Sequence, residues 1–176
     1  MNAATIPFGI ELETTLPDTD ETPIGPHHDG YAVTWLPGYD QDRATCSPTL
    51  PQPTAWKIER DGSIEYGPGR RAAEFVSPIL MGEAGIEQAA EVAKTISARG
   101  GRVNPSCGLH VSVSFNGDAV ALARLITLVA NHERAIYAST GTKSREHGIY
   151  CKQVKPYGND AGAKRRLDHD RYHLIN

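Results

Sequence analysis

The chain has 176 residues, 39% of them hydrophobic, and a formal net charge of −3, which is enough apolar material for one globular domain with a sizeable core. That charge argues against a general nucleic-acid or membrane-surface binder. No run approaches the ~20 apolar residues of a membrane span, and the N-terminus lacks the basic and apolar regions of a signal peptide, so a cytoplasmic protein is expected. The sign is uneven: from Lys143 onward there is an excess of +4, which leaves −7 upstream. Three widely spaced cysteines, Cys46, Cys107 and Cys151, fit free thiols in a reducing compartment better than a disulfide frame.

The first element is Phe8-Gly9-Ile10-Glu11-Leu12-Glu13, which reads as a strand. Alternation puts Glu11 and Glu13 on one face, with Cα atoms roughly 7 Å apart, and Ile10 and Leu12 on the other. An edge strand with a solvated acidic face explains an isolated E-x-E pair. Seven of the twelve prolines then fall between residues 17 and 53, which predicts a loop or lid holding at most short pieces near Tyr31 to Trp35. His27 and His28 lie in it and read as solvated surface before a metal site.

Residues 55–59 alternate as a strand and meet the turn signature Arg60-Asp61-Gly62-Ser63, with Ser63 to Tyr66 predicted to start a return strand. A second turn at Gly67-Pro68-Gly69 leads into a strand over residues 72–78 whose one acid, Glu74, should approach the first strand. Residues 83–99 predict a helix with Ile86, Ala89, Ala90, Ala93, Ile96 and Ser97 on its stripe, ended by Gly100-Gly101. Residues 108–115 alternate again: Leu109, Val111, Val113 and Phe115 on one side, His110, Ser112 and Ser114 on the other. Asp118 to Ala138 is the longest helical pattern, with Asp118 available as a cap. The order predicts an α+β domain over residues 1–176, a mostly antiparallel sheet with helices on one face.

Taken in order, Glu11-x-Glu13, Asp61-x-Ser63, Glu74-x-x-Ser77-Pro78, Cys107-Gly108-x-His110-Val111, Arg145 with Tyr150-Cys151, and Arg171-Tyr172-x-x-x-Asn176 resemble the amidoligase family, which is related in fold to glutamine synthetase and glutamate-cysteine ligase. The resemblance implies a curved, half-barrel sheet like that of the glutamine synthetase catalytic domain. It also implies an ATP- and Mg²⁺-dependent ligase, with Mn²⁺ as the alternative ion, that joins a carboxylate to an amine through an acyl phosphate. By similarity Glu11, Glu13, Glu74 and His110 are the metal shell, with Glu13 and Glu74 on one ion and Glu11 and His110 on another. Arg145 and Arg171 are the implied catalytic cations, and Ser112 with Arg145 the implied cofactor contacts. Such chemistry needs hard oxygen ligands for the cation and guanidinium groups for phosphate and carboxylate oxygens.

Asp61 and Ser63 are explained by the turn alone, and Cys107 reads as a structural thiol. Many relatives carry a second histidine where this chain has Ser112, and relatives continue past the position of Asn176 into an H-G-T-x-E-F-R type strand, so the chain is expected to be short at its C-terminal end. Substrates are expected to be amino acids, peptides or other small acids and amines, with a homo-oligomer or partner chain as a further expectation. A second reading is a non-catalytic relative that binds a nucleotide or peptide. A third is a zinc protein built on Cys107, His110, His147 and Cys151.

Overall fold

A computed structural model of the chain describes residues 6–41, 53–115 and 117–139. Two compact units make it up, Met1–Ser114 and Phe115–Asn176. The first is an open antiparallel sheet with one helix, and the second, as described, is a single helix. The fold class is therefore α+β, as predicted.

The sheet is organised around β1 (Pro7–Pro17). One edge of β1 pairs antiparallel with β4 (Arg70–Val76), and that edge continues through β5 (Leu80–Met81). The other edge pairs with β6 (Leu109–Val113). Beyond β4 come β3 (Lys57–Glu59) and β2 (Tyr31–Ala32). The β4 to β5 edge carries one extra residue, because Glu11 faces Val76 while Phe8 faces Leu80; this is a bulge, which bends the strand and sharpens its twist. Ser77 satisfies the interrupted ladder: its N–H donates to the Ile10 carbonyl and its Oγ accepts the Ile10 N–H at 2.8 Å.

Strand alternation divides the sheet into an apolar and an acidic face. Ile58, Phe75, Leu12 and Leu109 form one cross-strand row on the apolar side. The core packs there, around Leu16, Val33, Trp56, Ile58, Phe75 and Val92, all fully buried. Helix α1 (Gly82–Ala98) covers it with Gly85, Val92 and Ile96. The predicted stripe differs: Ile86 is 62% exposed. The helix is turned because Gly85 allows close approach, a Cβ there falling 2.9 Å from Leu80 Cβ and 3.0 Å from Phe8 Cζ. Helix α2 (Ala119–Ser139) is capped as predicted, Asp118 Oδ1 accepting the Ala121 N–H at 2.8 Å. The predicted return strand at residues 63–66 does not form, and the chain runs instead as a loop whose Glu65 N–H donates to Ser106 Oγ.

The described part of the proline-rich segment is anchored to the first unit. Val33 and Leu36 are core residues, and Trp35 meets Phe75 edge-on at 5.7 Å. Asp20, 7% exposed, pairs with Arg99 at 2.9 Å and Arg71 at 3.4 Å, and the Arg99 guanidinium lies 4.3 Å from the Trp35 ring centroid. Burial pushes the Asp20 carboxyl up, but hydrogen bonds from Thr22 and the Arg99 charge more than offset it and hold it below its ordinary value. A depressed carboxylate stabilises the fold above the unfolded pKa near 3.8 and ceases to do so as pH falls through the lower folded value. Asp20→Ala is expected to cost about 2 to 4 kcal/mol in urea unfolding, since it strips a buried acceptor from two arginines. A loss below about 0.5 kcal/mol would place the anchor elsewhere.

Candidate functional site

The acidic face carries two cross-strand rows. In the first, Glu59 of β3, Glu74 of β4 and Glu13 of β1 stand directly opposite one another. In the second, Lys57, Val76, Glu11 and His110 do the same across four strands. Like charges directly opposed across strands are destabilising, and these are buried: Glu13 is 6%, Glu59 6% and Glu74 4% exposed.

The groups converge. His110 spans the two carboxylates of β1, with Nδ1 2.9 Å from Glu11 Oε2 and Nε2 3.4 Å from Glu13 Oε1. The Gly108 N–H donates to Glu13 Oε2 at 2.6 Å, and the Gly108 carbonyl accepts the Glu13 N–H at 3.0 Å. Ligand atoms of Glu11, Glu74 and His110 lie within 4.8 Å of one another, as do those of Glu13, Asp61 and Glu74. Glu74 is common to both groups. The four residues expected to form the metal shell are therefore brought together, and with Asp61 their side-chain atoms group as two triads that share Glu74.

Burial pushes the Glu74 carboxyl up to about 8, helped by the charges of Glu11, Asp61, Glu59 and Glu13. The protein holds this acid protonated near neutral pH unless a cation joins it. A cluster of carboxylate oxygens with one imidazole suits a divalent ion such as Mg²⁺ or Mn²⁺, so the residues present fit the expected metals.

Ser112 lies on the same face, opposite Gly9, two residues along β6 from His110. The floor there is open, since the nearest atom to a Cβ at Gly9 is Ser77 Oγ at 3.9 Å. Arg145, Arg171, His147 and Cys151 fall outside the described residues. Cys107 is buried. Sequence reasoning missed Glu59 and gave Asp61 a turn role only. Asp61 holds the turn, its Oδ1 accepting the Ser63 N–H at 2.6 Å, and also belongs to the Glu13 and Glu74 group. The alternation Lys57-Ile58-Glu59 was the available signal for Glu59.

Residues 4–172 match the family model described as a putative amidoligase enzyme. The chain belongs to the amidoligase family. The family description makes ligation the class of chemistry. Searches among curated proteins and among solved structures give no match. Of the family-motif residues in the first unit, Glu11, Glu13, Asp61, Glu74 and His110 converge on the acidic face, Ser77 holds the bulge, and Gly108 holds Glu13. Among the described residues no helix is long and apolar enough to cross a membrane.

Gly108 gives a direct check on the groove. A Cβ there would fall 2.9 Å from His110 Nε2 and 3.2 Å from Glu13 Oε1. Both contacts are side-chain ends that can move aside. Gly108→Ala is therefore expected to leave the melting temperature nearly unchanged while weakening Mn²⁺ affinity about ten- to a hundredfold, the usual effect of disturbing the groups that orient metal ligands. Equal affinity in a titration of the two proteins would mean that neither side chain binds the ion.

Proposed function

We propose that this amidoligase is an ATP- and Mg²⁺-dependent ligase that forms an amide or peptide bond between a carboxylate and an amine through an acyl phosphate. The observation that carries the reading is the convergence of Glu11, Glu13, Asp61, Glu74 and His110 on one sheet face, with Glu74 shared. A row of buried, mutually opposed carboxylates is costly without a cation. In this reading Glu13, Asp61 and Glu74 hold one ion, and Glu11, Glu74 and His110 the other. Divalent ions bound there would neutralise and align the phosphate oxygens of ATP.

The protein's own groups supply positioning. The Gly108 N–H fixes Glu13, and Glu11 fixes the His110 ring. Ser112 beside the open floor at Gly9 offers a hydroxyl to a phosphate oxygen. Arg145 and Arg171 are proposed to bind phosphate and the substrate carboxylate, and Lys57, on the same row as Glu11, is a further cation for that work. The bulge at Ser77 supports a sheet curved in the manner of the glutamine synthetase half barrel. In the reaction the substrate carboxylate attacks the γ-phosphorus and ADP leaves; the amine then attacks the acyl carbon, phosphate leaves, and the amine loses a proton. Amino acids and peptides are the proposed substrates.

The test is incubation with ATP, Mg²⁺ and a pool of amino acids and peptides. Phosphate release that requires both an acid and an amine, with a product lighter by one water than its two parts, supports the ligase. Nucleotide binding without turnover would replace it with the non-catalytic relative.

A further inference from the structure

The row of acids ends at Glu59, and the group that meets it there belongs to the proline-rich segment. Gly25 bonds to both sides of Glu59, its N–H donating to the Ile58 carbonyl at 3.1 Å and its carbonyl accepting the Arg60 N–H at 3.0 Å. The chain then turns over the Glu59 carboxylate and returns at Tyr31, which pairs with Ile58. Within this loop the Asp29 N–H donates to the Pro26 carbonyl at 3.1 Å, which makes Pro26-His27-His28-Asp29 a tight turn. His28, its third residue, has φ +66°. That position in such a turn ordinarily takes glycine, because a side chain there is strained.

The strained backbone brings two neighbouring imidazoles to the same side. Their ring centroids are 3.6 Å apart. In extended chain, adjacent side chains would point to opposite faces. His27 Nδ1 lies 3.2 Å from Glu59 Oε1, and the His28 N–H donates to the same oxygen at 3.1 Å. Nitrogen and oxygen atoms of His27, His28 and Glu59 lie within 4.8 Å of one another. Bonds of about 2.0 to 2.2 Å to a tetrahedral ion put its ligands about 3.4 Å apart, so the His27 to Glu59 separation suits a shared ion. The Glu59 side chain is 8% exposed and that of His27 is 53% exposed. An open pocket of about 580 Å³ lined by Ile24, Pro26, His27, Tyr31, Arg60 and Gly62 adjoins the cluster. Strain of this kind persists at ligand clamps.

We propose that His27, His28 and Glu59 form a transition-metal site of the two-histidine, one-carboxylate kind at the end of the acidic row, sharing no ligand with the two triads around Glu74 and clamping the Gly25–Tyr31 loop onto β3. Two imidazoles select Zn²⁺ and its neighbours over Mg²⁺, whereas the groove around Glu74, richer in oxygen, suits Mg²⁺. The pocket beside His27 gives the metal an approach from solvent.

The experiment is equilibrium dialysis of the full chain against Zn²⁺ in millimolar Mg²⁺, which keeps the carboxylate groove in its preferred ion. Wild type is expected to retain zinc, and His28→Gly to bind it at least about a hundredfold more weakly, beyond what loss of an outer partner costs. Glycine suits the turn, so this variant keeps its fold, which far-UV circular dichroism checks. Histidine-¹⁵N spectra of wild type supply a readout free of mutation: zinc should shift the ring nitrogens of His27 and His28. The proposal is overturned if wild type takes up no zinc, if His28→Gly retains full affinity, or if the shifts are confined to other histidines. None of these outcomes touches the ligase reading, which rests on Mg²⁺, ATP and the groove.

Discussion

Glu13→Gln is expected to abolish ligase turnover, by at least about a thousandfold, while making the metal-free protein more stable at pH 9. The two effects come from one geometry. Glu13 is nearly buried, faces Glu74 across the ladder and accepts the Gly108 N–H. Glutamine keeps an acceptor for that N–H and removes the charge that opposes Glu74. Above about pH 8, where Glu74 gives up its proton, one charge of a repulsive pair is gone, which is worth about 1 kcal/mol to the fold in urea unfolding. The same exchange removes a charged oxygen from the cation site, and phosphoryl transfer depends on charge neutralisation and alignment. A carboxylate with only a structural role predicts the reverse, lower stability with unchanged turnover. Measuring unfolding and phosphate release on one preparation separates the two.

The second large effect is the pH dependence of the metal-free fold. Burial and its acidic neighbours raise Glu74 from 4.5 to about 8. Between those values the folded state holds a proton that the unfolded chain has released, so stability falls as pH rises through the window and levels off above about 8. At about 1.4 kcal/mol per pH unit the loss is on the order of 5 kcal/mol. A divalent cation should reverse it, because the ion takes the proton's place between the carboxylates. Thermal unfolding at pH 6 and pH 9, with and without Mn²⁺, is expected to show a lower melting point at pH 9 that the metal restores. Glu74→Gln should flatten the profile and remove the metal effect. A wild-type profile that rises from pH 6 to pH 9 without metal would contradict the account.

Much of this site was legible in the sequence because strand alternation is a rigid rule. It placed Glu11 with Glu13, and His110 with Ser112, on single faces before any pairing was known, and the family order supplied Glu74. What alternation cannot supply is register. Whether Glu59 stands opposite Glu74 or one residue away depends on the turn of residues 60–69, and a slip of one position sends every side chain to the other face. The stripe of α1 was misread for a related reason. A stripe of small residues and two isoleucines points weakly, and the decisive feature is Gly85, whose missing side chain lets the helix approach Leu80 and Phe8. The proline-rich segment carries no period at all. Its anchors, Asp20 and Trp35, act through Arg71, Arg99 and Phe75, partners distant in sequence that no local pattern announces.

The acidic groove thus joins a strand visible from the first few residues to partners that only folding reveals. The central claim is that Glu74 sits between two cation positions. Mn²⁺ titration followed by electron paramagnetic resonance reads this directly, since the signal of free Mn²⁺ disappears on binding. Wild type, and the His27→Ala, His28→Ala double variant, are expected to take up Mn²⁺ with equal affinity, and Glu74→Gln to lose that uptake. Uptake that survives in Glu74→Gln at wild-type affinity would contradict the account.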